Sequence, residues 1–145
     1  MIWVGLEWGA PMACGAACIA IHKFAVQLVS NRLTVRGYRS NANGLMRALV
    51  FLLLAHLIEI ALFAGAIFLL DRAIPGASLT GAFQGSIEDY LYFSSTTYSS
   101  LGFGDIVPNG GLRLLVGVEA LVGLIMIAWT AAFLFAETDQ QGRGS

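Results

Sequence analysis

The chain has 145 residues, of which 57% are hydrophobic and 12% are charged, and its mean hydropathy is +0.75. A soluble domain of this length buries only about two-thirds of the surface that its unfolded chain exposes, so it cannot hide that much apolar surface. The net charge of −1 excludes a basic surface for nucleic acid. The composition predicts one membrane domain, and no set of nucleophile and base or of metal ligands indicates an enzyme.

The first apolar segment, residues 9–30, predicts an N-terminal helix. Pro11 suits its first turn, and His22 and Lys23 lie near its end. We interpret it as a membrane-spanning helix, and a helix lying at the membrane interface is the alternative. Residues 1–47 then hold this helix and the loop that follows it.

That loop region carries four arginines, at positions 32, 36, 39 and 47. Loops rich in Lys and Arg remain in the cytoplasm, so we expect this one there. With three spans, the N-terminus lies outside and the short polar tail, residues 137–145, lies in the cytoplasm. We expect this tail to be frayed.

Two longer apolar segments, residues 48–70 and 113–136, predict two further spanning helices. Each is long enough to cross a hydrocarbon core of about 30 Å. In the first segment, only His56 and Glu59 interrupt the apolar run. In the second, Glu119 interrupts it. His56 and Glu59 are three residues apart and share a helix face, which favours a buried pair against another helix. A pH sensor at His56 is the alternative.

Between these helices lies a segment with the features of a short helix. Residues 71–85 are rich in Gly, Ala and Ser and predict an irregular extracytoplasmic loop. Ser86 is a favoured helix N-cap, and Glu88 and Asp89 suit a first turn. Residues 86–99 then predict a helix about half a membrane long. Non-helical backbone at membrane depth is tolerated only when it is buried in protein or lines water.

The sequence after this helix is Ser100-Leu-Gly-Phe-Gly-Asp105, followed by Ile106-Val-Pro108. It resembles the selectivity filter of potassium channels, whose consensus is Thr-Val-Gly-Tyr-Gly-Asp. Residues 48–136 resemble the outer helix, pore loop and inner helix of that family. The resemblance implies an all-α membrane protein with three transmembrane helices and a re-entrant pore helix, assembled as a homotetramer in a bacterial inner membrane. It implies K⁺ as the permeant ion and no cofactor.

The filter chemistry has a physical basis in these residues. Rings of backbone oxygens replace the water around K⁺. Glycine adopts positive φ at little cost, so Gly102 and Gly104 allow neighbouring carbonyls to face one side. We expect Asp105 to attract cations at the outer mouth. The candidate ion-coordinating residues are Ser100, Leu101, Gly102, Phe103 and Gly104.

Two departures from the consensus matter. Ser100 replaces Thr and keeps the hydroxyl, whereas Phe103 replaces Tyr and loses a phenol that can bond to the pore helix. We expect Thr96, Thr97 and Glu119 to support the filter instead.

Glu119 is expected to contact the pore-helix region of Thr96, Thr97 and Tyr98, because an acid at membrane depth faces the protein interior. A structural hydrogen bond with no role in gating is the alternative. Arg113 is expected to pair with Asp105 or Glu88, or to extend to the membrane surface.

In the inner helix, Gly123 is the candidate hinge. The candidate pore-lining residues follow a helical period and are Ala120, Leu124, Ile127, Ala131 and Phe135.

These features predict a potassium-selective channel for passive conduction, formed by four copies of the chain, with membrane lipids and K⁺ as its partners and no nucleic acid. The alternatives are a weakly selective Na⁺/K⁺ channel on the same scaffold and a non-conducting membrane subunit.

Overall fold

The fold consists of long helices that surround a short one. The computed structural model describes residues 2–35 and 42–142. In chain order the elements are α1 (Ile2–Val35), α2 (Ala42–Ala73), β1 (Ser78–Gly81), α3 (Ile87–Tyr98), β2 (Ile106–Asn109) and α4 (Leu112–Gly142). Three segments are long and apolar enough to cross a membrane: Trp8–Arg32, Asn43–Ala73 and Leu112–Asp139. The mostly helical architecture is that of an all-α membrane channel.

Helix α1 packs along both α2 and α4. Its buried side chains, Cys18, His22, Ala25 and Val29, recur every three or four residues and form one face. A helix with this packing is part of the bundle, which favours the spanning interpretation over the interfacial one. Arg36 and Arg39 of the arginine-rich loop lie outside the described residues.

Helices α2 and α4 are longer than the segments predicted from hydropathy. Helix α2 begins at Ala42 and ends at Ala73. Helix α4 continues to Gly142, so the prediction of a frayed tail is wrong for residues 137–142. These residues are polar but contain no proline, and glycine occurs only at the last position, so nothing in them stops a helix.

The loop predicted over residues 71–85 contains a strand that the sequence analysis missed. Strands β1 and β2 pair antiparallel, with Ser78 opposite Asn109 and Gly81 opposite Ile106. The amide of Ala82 continues the contact by donating to the carbonyl of Asp105 at 2.8 Å. A side chain at Gly81 would overlap that same carbonyl. The pairing therefore joins the two ends of the segment that contains α3.

The main core lies where α3 packs between α2 and α4. Phe63 and Ile67 of α2, Phe93 of α3 and Leu115 of α4 are all buried there. Helix α3 also buries the polar side chains of Ser94, Thr96 and Thr97. The bundle thus holds a partly polar helix in a fixed place.

Candidate functional site

The start of α3 is fixed by a capping box, as the sequence predicted. The hydroxyl of Ser86 accepts the amide of Asp89 at 3.1 Å. The Asp89 carboxylate accepts the amides of Gln84 at 2.9 Å and Ser86 at 3.1 Å. These backbone hydrogen bonds, that of Gln84 first, lower the pKa of Asp89. All partners lie within five residues of one another, so local sequence determines where the helix begins.

The end of α3 holds the backbone of the segment that follows. The amide of Ser100 donates to the Thr97 carbonyl at 2.8 Å. The amides of Leu101 and Gly102 both donate to the Thr96 carbonyl, at 2.9 and 3.1 Å. The first amides of the candidate filter therefore point to α3, and these bonds leave the carbonyls of the same residues free. Thr96 and Thr97 contribute to this contact through backbone oxygens.

Alternate residues of the candidate filter have positive φ angles. The values are 57° at Ser100, 53° at Gly102 and 79° at Gly104. In an ordinary strand successive carbonyls alternate from side to side, whereas alternating the sign of φ turns them to one side. Ser100 adopts this conformation without being a glycine, which is uncommon and occurs most often at functional sites.

The candidate filter is exposed in the single chain. Leu101 is 59% exposed and Phe103 is 65% exposed. The Phe103 ring stacks on the ring of Tyr92 in α3, with centroids 6.3 Å apart and planes 3° apart. Phe103 thus contacts α3 through its ring.

Asp105 bonds to the pore helix. The hydroxyl of Tyr92 donates to Asp105 Oδ2 at 2.8 Å, and this bond raises the pKa of Tyr92. Tyr92 therefore supplies, from α3, the phenol that Phe103 lacks. In the described part of the chain Arg113 forms no ion pair with Asp105 or Glu88, which leaves extension to the membrane surface as the remaining expectation.

Glu119 contacts α3, as expected, but not at the expected residues. Its side chain is fully buried, and Oε1 bonds to the hydroxyl of Ser94, one turn before the region 96–98. The same hydroxyl bonds to the Ile60 carbonyl at 2.8 Å. The Thr96 hydroxyl instead bonds to the carbonyl of Phe93. The hydrogen bond of Glu119 thus goes to Ser94 and not to residues 96–98.

Gly123 lies at the point where α4 meets the end of α3. A Cβ atom there would overlap the Tyr98 carbonyl oxygen and lie 2.8 Å from its carbon. The glycine therefore permits a close approach of the two helices. Its role as a hinge stays a prediction. Of the candidate pore-lining residues, Ala120 is half-buried, and the exposed ones are Leu124, Ile127, Ala131 and Phe135.

His56 and Glu59 are part of a larger group of buried and half-buried side chains. Glu59 Oε1 lies 3.1 Å from His22 Nδ1, and Glu59 Oε2 lies 3.4 Å from His56 Nδ1. The Tyr98 hydroxyl donates to Glu59 Oε2 and lies 2.9 Å from His56 Nδ1. Thr130 Oγ1 lies 2.9 Å from His56 Nε2 and 3.2 Å from His22 Nε2.

We name these five residues, His22, His56, Glu59, Tyr98 and Thr130, the buried cluster. It confirms the prediction that His56 and Glu59 form a buried pair and adds three members from other helices. Potential ligand atoms of His22, His56 and Glu59 lie within 4.8 Å of one another, which makes these three the candidate metal ligands of the described residues. The signal for His22 in the sequence was a polar residue inside an apolar segment.

Comparison with known proteins agrees with this architecture. Residues 55–139 match the family described as ion channel. The chain is 33% identical over 84 residues to the inward rectifier potassium channel Kirbac3.1 of Paramagnetospirillum magnetotacticum, covering 57% of this chain and 28% of the relative. It is 50% identical over 42 residues to protein LctB of Bacillus caldotenax, covering 29% of this chain and 31% of the relative.

Protein LctB of Geobacillus stearothermophilus is 35% identical over 65 residues, which is 45% of this chain and 48% of that relative. The chain thus spans less than half the length of each of these relatives. No solved structure matches the chain. Because the family match covers α3, most of α2 and α4, and more than half of the sequence, this membrane protein belongs to the ion channel family.

Proposed function

We propose that the protein conducts K⁺ passively and selectively through a pore formed by four copies of the chain. The observation that carries this proposal is the backbone of residues 100–104, where φ is positive at alternate residues. Together with the amides held by α3, this conformation supplies a row of carbonyl oxygens of the kind that replaces the hydration shell of K⁺. In the proposal these oxygens belong to Ser100, Leu101, Gly102, Phe103 and Gly104.

A single chain supplies only one row of oxygens, and an ion needs oxygens on all sides. A closed ring of copies about an axis meets this need. Four is the number that the resemblance to potassium channels implies. The exposure of residues 99–105 and of the Leu124, Ile127 and Phe135 side chains is consistent with surfaces that face the axis or a neighbouring copy.

Asp105 completes the proposed pathway at its outer mouth. Tyr92 holds its carboxylate beside the end of the filter, where a negative charge raises the local concentration of cations. In the proposed orientation the N-terminus and this mouth lie outside, and α4 ends in the cytoplasm. The similarity to a relative named as a potassium channel supports K⁺ as the ion.

The experiment is ion flux through purified protein in liposomes, with reversal potentials measured in mixed K⁺ and Na⁺. We expect Rb⁺ and K⁺ to pass and Na⁺ to pass poorly. Gly102→Ala places a Cβ where φ is 53°, which costs roughly 1 kcal/mol or more in each copy, so flux should collapse. The matched control is Gly65→Ala in α2, where a Cβ meets open space.

Normal K⁺ flux through Gly102→Ala would contradict the filter assignment. Equal permeability to K⁺ and Na⁺ in the wild type would instead support the weakly selective channel. Absence of any flux from assembled protein would support the non-conducting subunit. The mass of the detergent-solubilised assembly tests the number of copies.

A further inference from the structure

The buried cluster joins all four helices, and α1 contributes one residue to it. His22 comes from α1, His56 and Glu59 from α2, Tyr98 from α3 and Thr130 from α4. His22 and Glu59 have no solvent exposure. The family match begins at residue 55 and does not include α1, so the channel family itself does not account for this contact.

The cluster leads directly to the candidate filter. Tyr98 is the last residue of α3, and Ser100 follows two positions later. Its hydroxyl is held by Glu59 and His56, and its backbone is packed against Gly123 of α4. Because Tyr98 is fixed at both the side chain and the backbone, its position determines where the filter begins.

The geometry explains why residue 22 is a histidine. One ring nitrogen faces Glu59 and the other faces Thr130, so the ring connects α2 to α4. A polar side chain buried in a membrane helix is costly unless both of its polar atoms are satisfied. Packing alone would be served by an apolar residue, as at Val29 two turns later on the same face.

Counting protons shows how the cluster is held together. Its five hydrogen bonds need five protons. Two neutral histidines supply one each, and Tyr98 and Thr130 supply one each. The fifth proton sits on Glu59 or on an imidazole, and in either case the cluster is electrically neutral. One shared proton therefore satisfies every contact, and a bound metal ion is not needed.

We propose that α1 is part of the conducting unit, with His22 as a positioning residue that acts through Glu59 and Tyr98 to set the ion selectivity of the filter. This inference rests on the proposed K⁺ conduction. It assigns α1 a task in selectivity in addition to its packing against the bundle.

The test compares three variants by reversal potentials of the purified full chain in lipid bilayers. His22→Ala should lower the K⁺/Na⁺ permeability ratio at least threefold. His22→Gln keeps one donor and one acceptor and should stay within twofold of the wild type. Val29→Ala removes packing from the same face of α1 without touching the buried cluster, and should leave the ratio unchanged. An unchanged ratio in assembled His22→Ala would overturn the proposal.

A coupling measurement separates positioning from general loosening. Tyr98→Phe removes the hydroxyl through which His22 acts in the proposal. Adding His22→Ala to Tyr98→Phe should therefore lower the K⁺/Na⁺ permeability ratio no further. Additive losses would overturn the proposed route through Tyr98. If His22→Ala does not assemble, Thr130→Val is the substitute variant: it keeps the shape of the side chain and removes the bonds to His22 Nε2 and His56 Nε2, with the same threefold loss expected.

A second readout does not depend on conduction. In hydrogen–deuterium exchange of the purified protein, His22→Ala should accelerate exchange in the peptide covering residues 98–104, and Val29→Ala should not. If the wild type proves unselective, the proposed function fails, while this exchange difference still decides whether His22 positions the segment. One transition metal per chain in the wild type, lost in His22→Ala, would overturn the shared proton in favour of a metal site.

Discussion

The two ends of α3 are held in opposite ways. At its start, Ser86 and Asp89 cap the helix with bonds that span five residues or fewer. At its end, Tyr98 bonds to Glu59 and His56, which lie 39 and 42 positions away in the sequence. The start is held by bonds between residues that are close in the sequence. The end takes its place only when the whole bundle is assembled.

This difference matters because the candidate filter follows the C-terminal end of α3, which is held by other helices. A capping box contributes about 1 kcal/mol and is insensitive to distant changes. A buried polar group bonded across helices is sensitive to each of its partners, because the loss of one leaves the others unsatisfied. The position of residues 100–104 therefore depends on α1, α2 and α4 together. Substitutions at four positions test how far the two ends of α3 differ.

The largest effect is expected at Glu59, which hydrogen-bonds to His22 and Tyr98 and lies 3.4 Å from His56 Nδ1. Glu59→Ala leaves His22, His56 and Tyr98 without their common partner, and breaking such a buried pair costs about 3–5 kcal/mol. We expect most of the assembled protein to be lost, as measured by thermal unfolding in detergent. Glu59→Gln retains the size and one acceptor and should be recovered in part. A wild-type unfolding temperature for Glu59→Ala would mean that the end of α3 does not depend on the cluster.

The next effect is expected at Gly123, which holds the same end of α3 from the other side. Gly123→Ala places a methyl group against the Tyr98 backbone, and overpacking of this kind costs about 1–3 kcal/mol. The matched control is Gly117→Ala in the same helix, where the methyl group meets open space. Thermal stability should fall in the first variant and stay level or rise in the second. Equal stability of the two variants would contradict the close approach of α4 and α3.

A smaller effect is expected at Glu119, which contacts the middle of α3 through Ser94. The Ser94 hydroxyl has one proton but bonds to two oxygens, so both bonds form fully only if Glu119 carries a proton. Glu119→Gln supplies an N–H in that place and should match the wild type in stability. Glu119→Ala loses the bond and should cost about 2 kcal/mol in the free energy of unfolding. Destabilisation by Gln equal to that by Ala would show that Ser94 donates to an ionised carboxylate.

The smallest effect is expected at the start of α3. Ser86→Ala should lower stability by about 1 kcal/mol and leave ion selectivity unchanged, because the cap acts on the helix start alone. A changed permeability ratio in Ser86→Ala would remove the distinction between the two ends.

The cap also predicts a direction for pH dependence. The backbone bonds lower the pKa of Asp89 in the folded protein. Its contribution to stability is therefore present above the ordinary carboxyl pKa of about 3.9 and is lost as pH falls through the lowered folded value. Unfolding measured against pH should show this acid loss in the wild type and not in Asp89→Asn. An identical acid profile in both would assign the loss to other carboxylates.

The same distinction explains which features the sequence predicted. Ser86 and Asp89 carry a local signal, and the structure places the cap where that signal predicted it. The partner of Glu119 depends on how far α4 is shifted along α3, which no short stretch of sequence encodes, so the prediction missed Ser94. His22 was recognised as polar within an apolar helix, but its contact with Glu59 spans 37 positions and depends on how α1 packs. Strand β1 was missed because its partner follows only after α3 and the filter.

The pairing of β1 with β2 has a consequence for the cost of ordering the filter. It closes residues 82–105 into a loop whose two ends are held by the ladder and by the bond from Ala82 to Asp105. The pairing of two short strands at the protein surface then already offsets the entropic cost of bringing these distant parts of the chain together. Residues 100–104 lie inside this closed loop, so a pull on the segment before β1 strains the ladder before it reaches the candidate ion-coordinating residues.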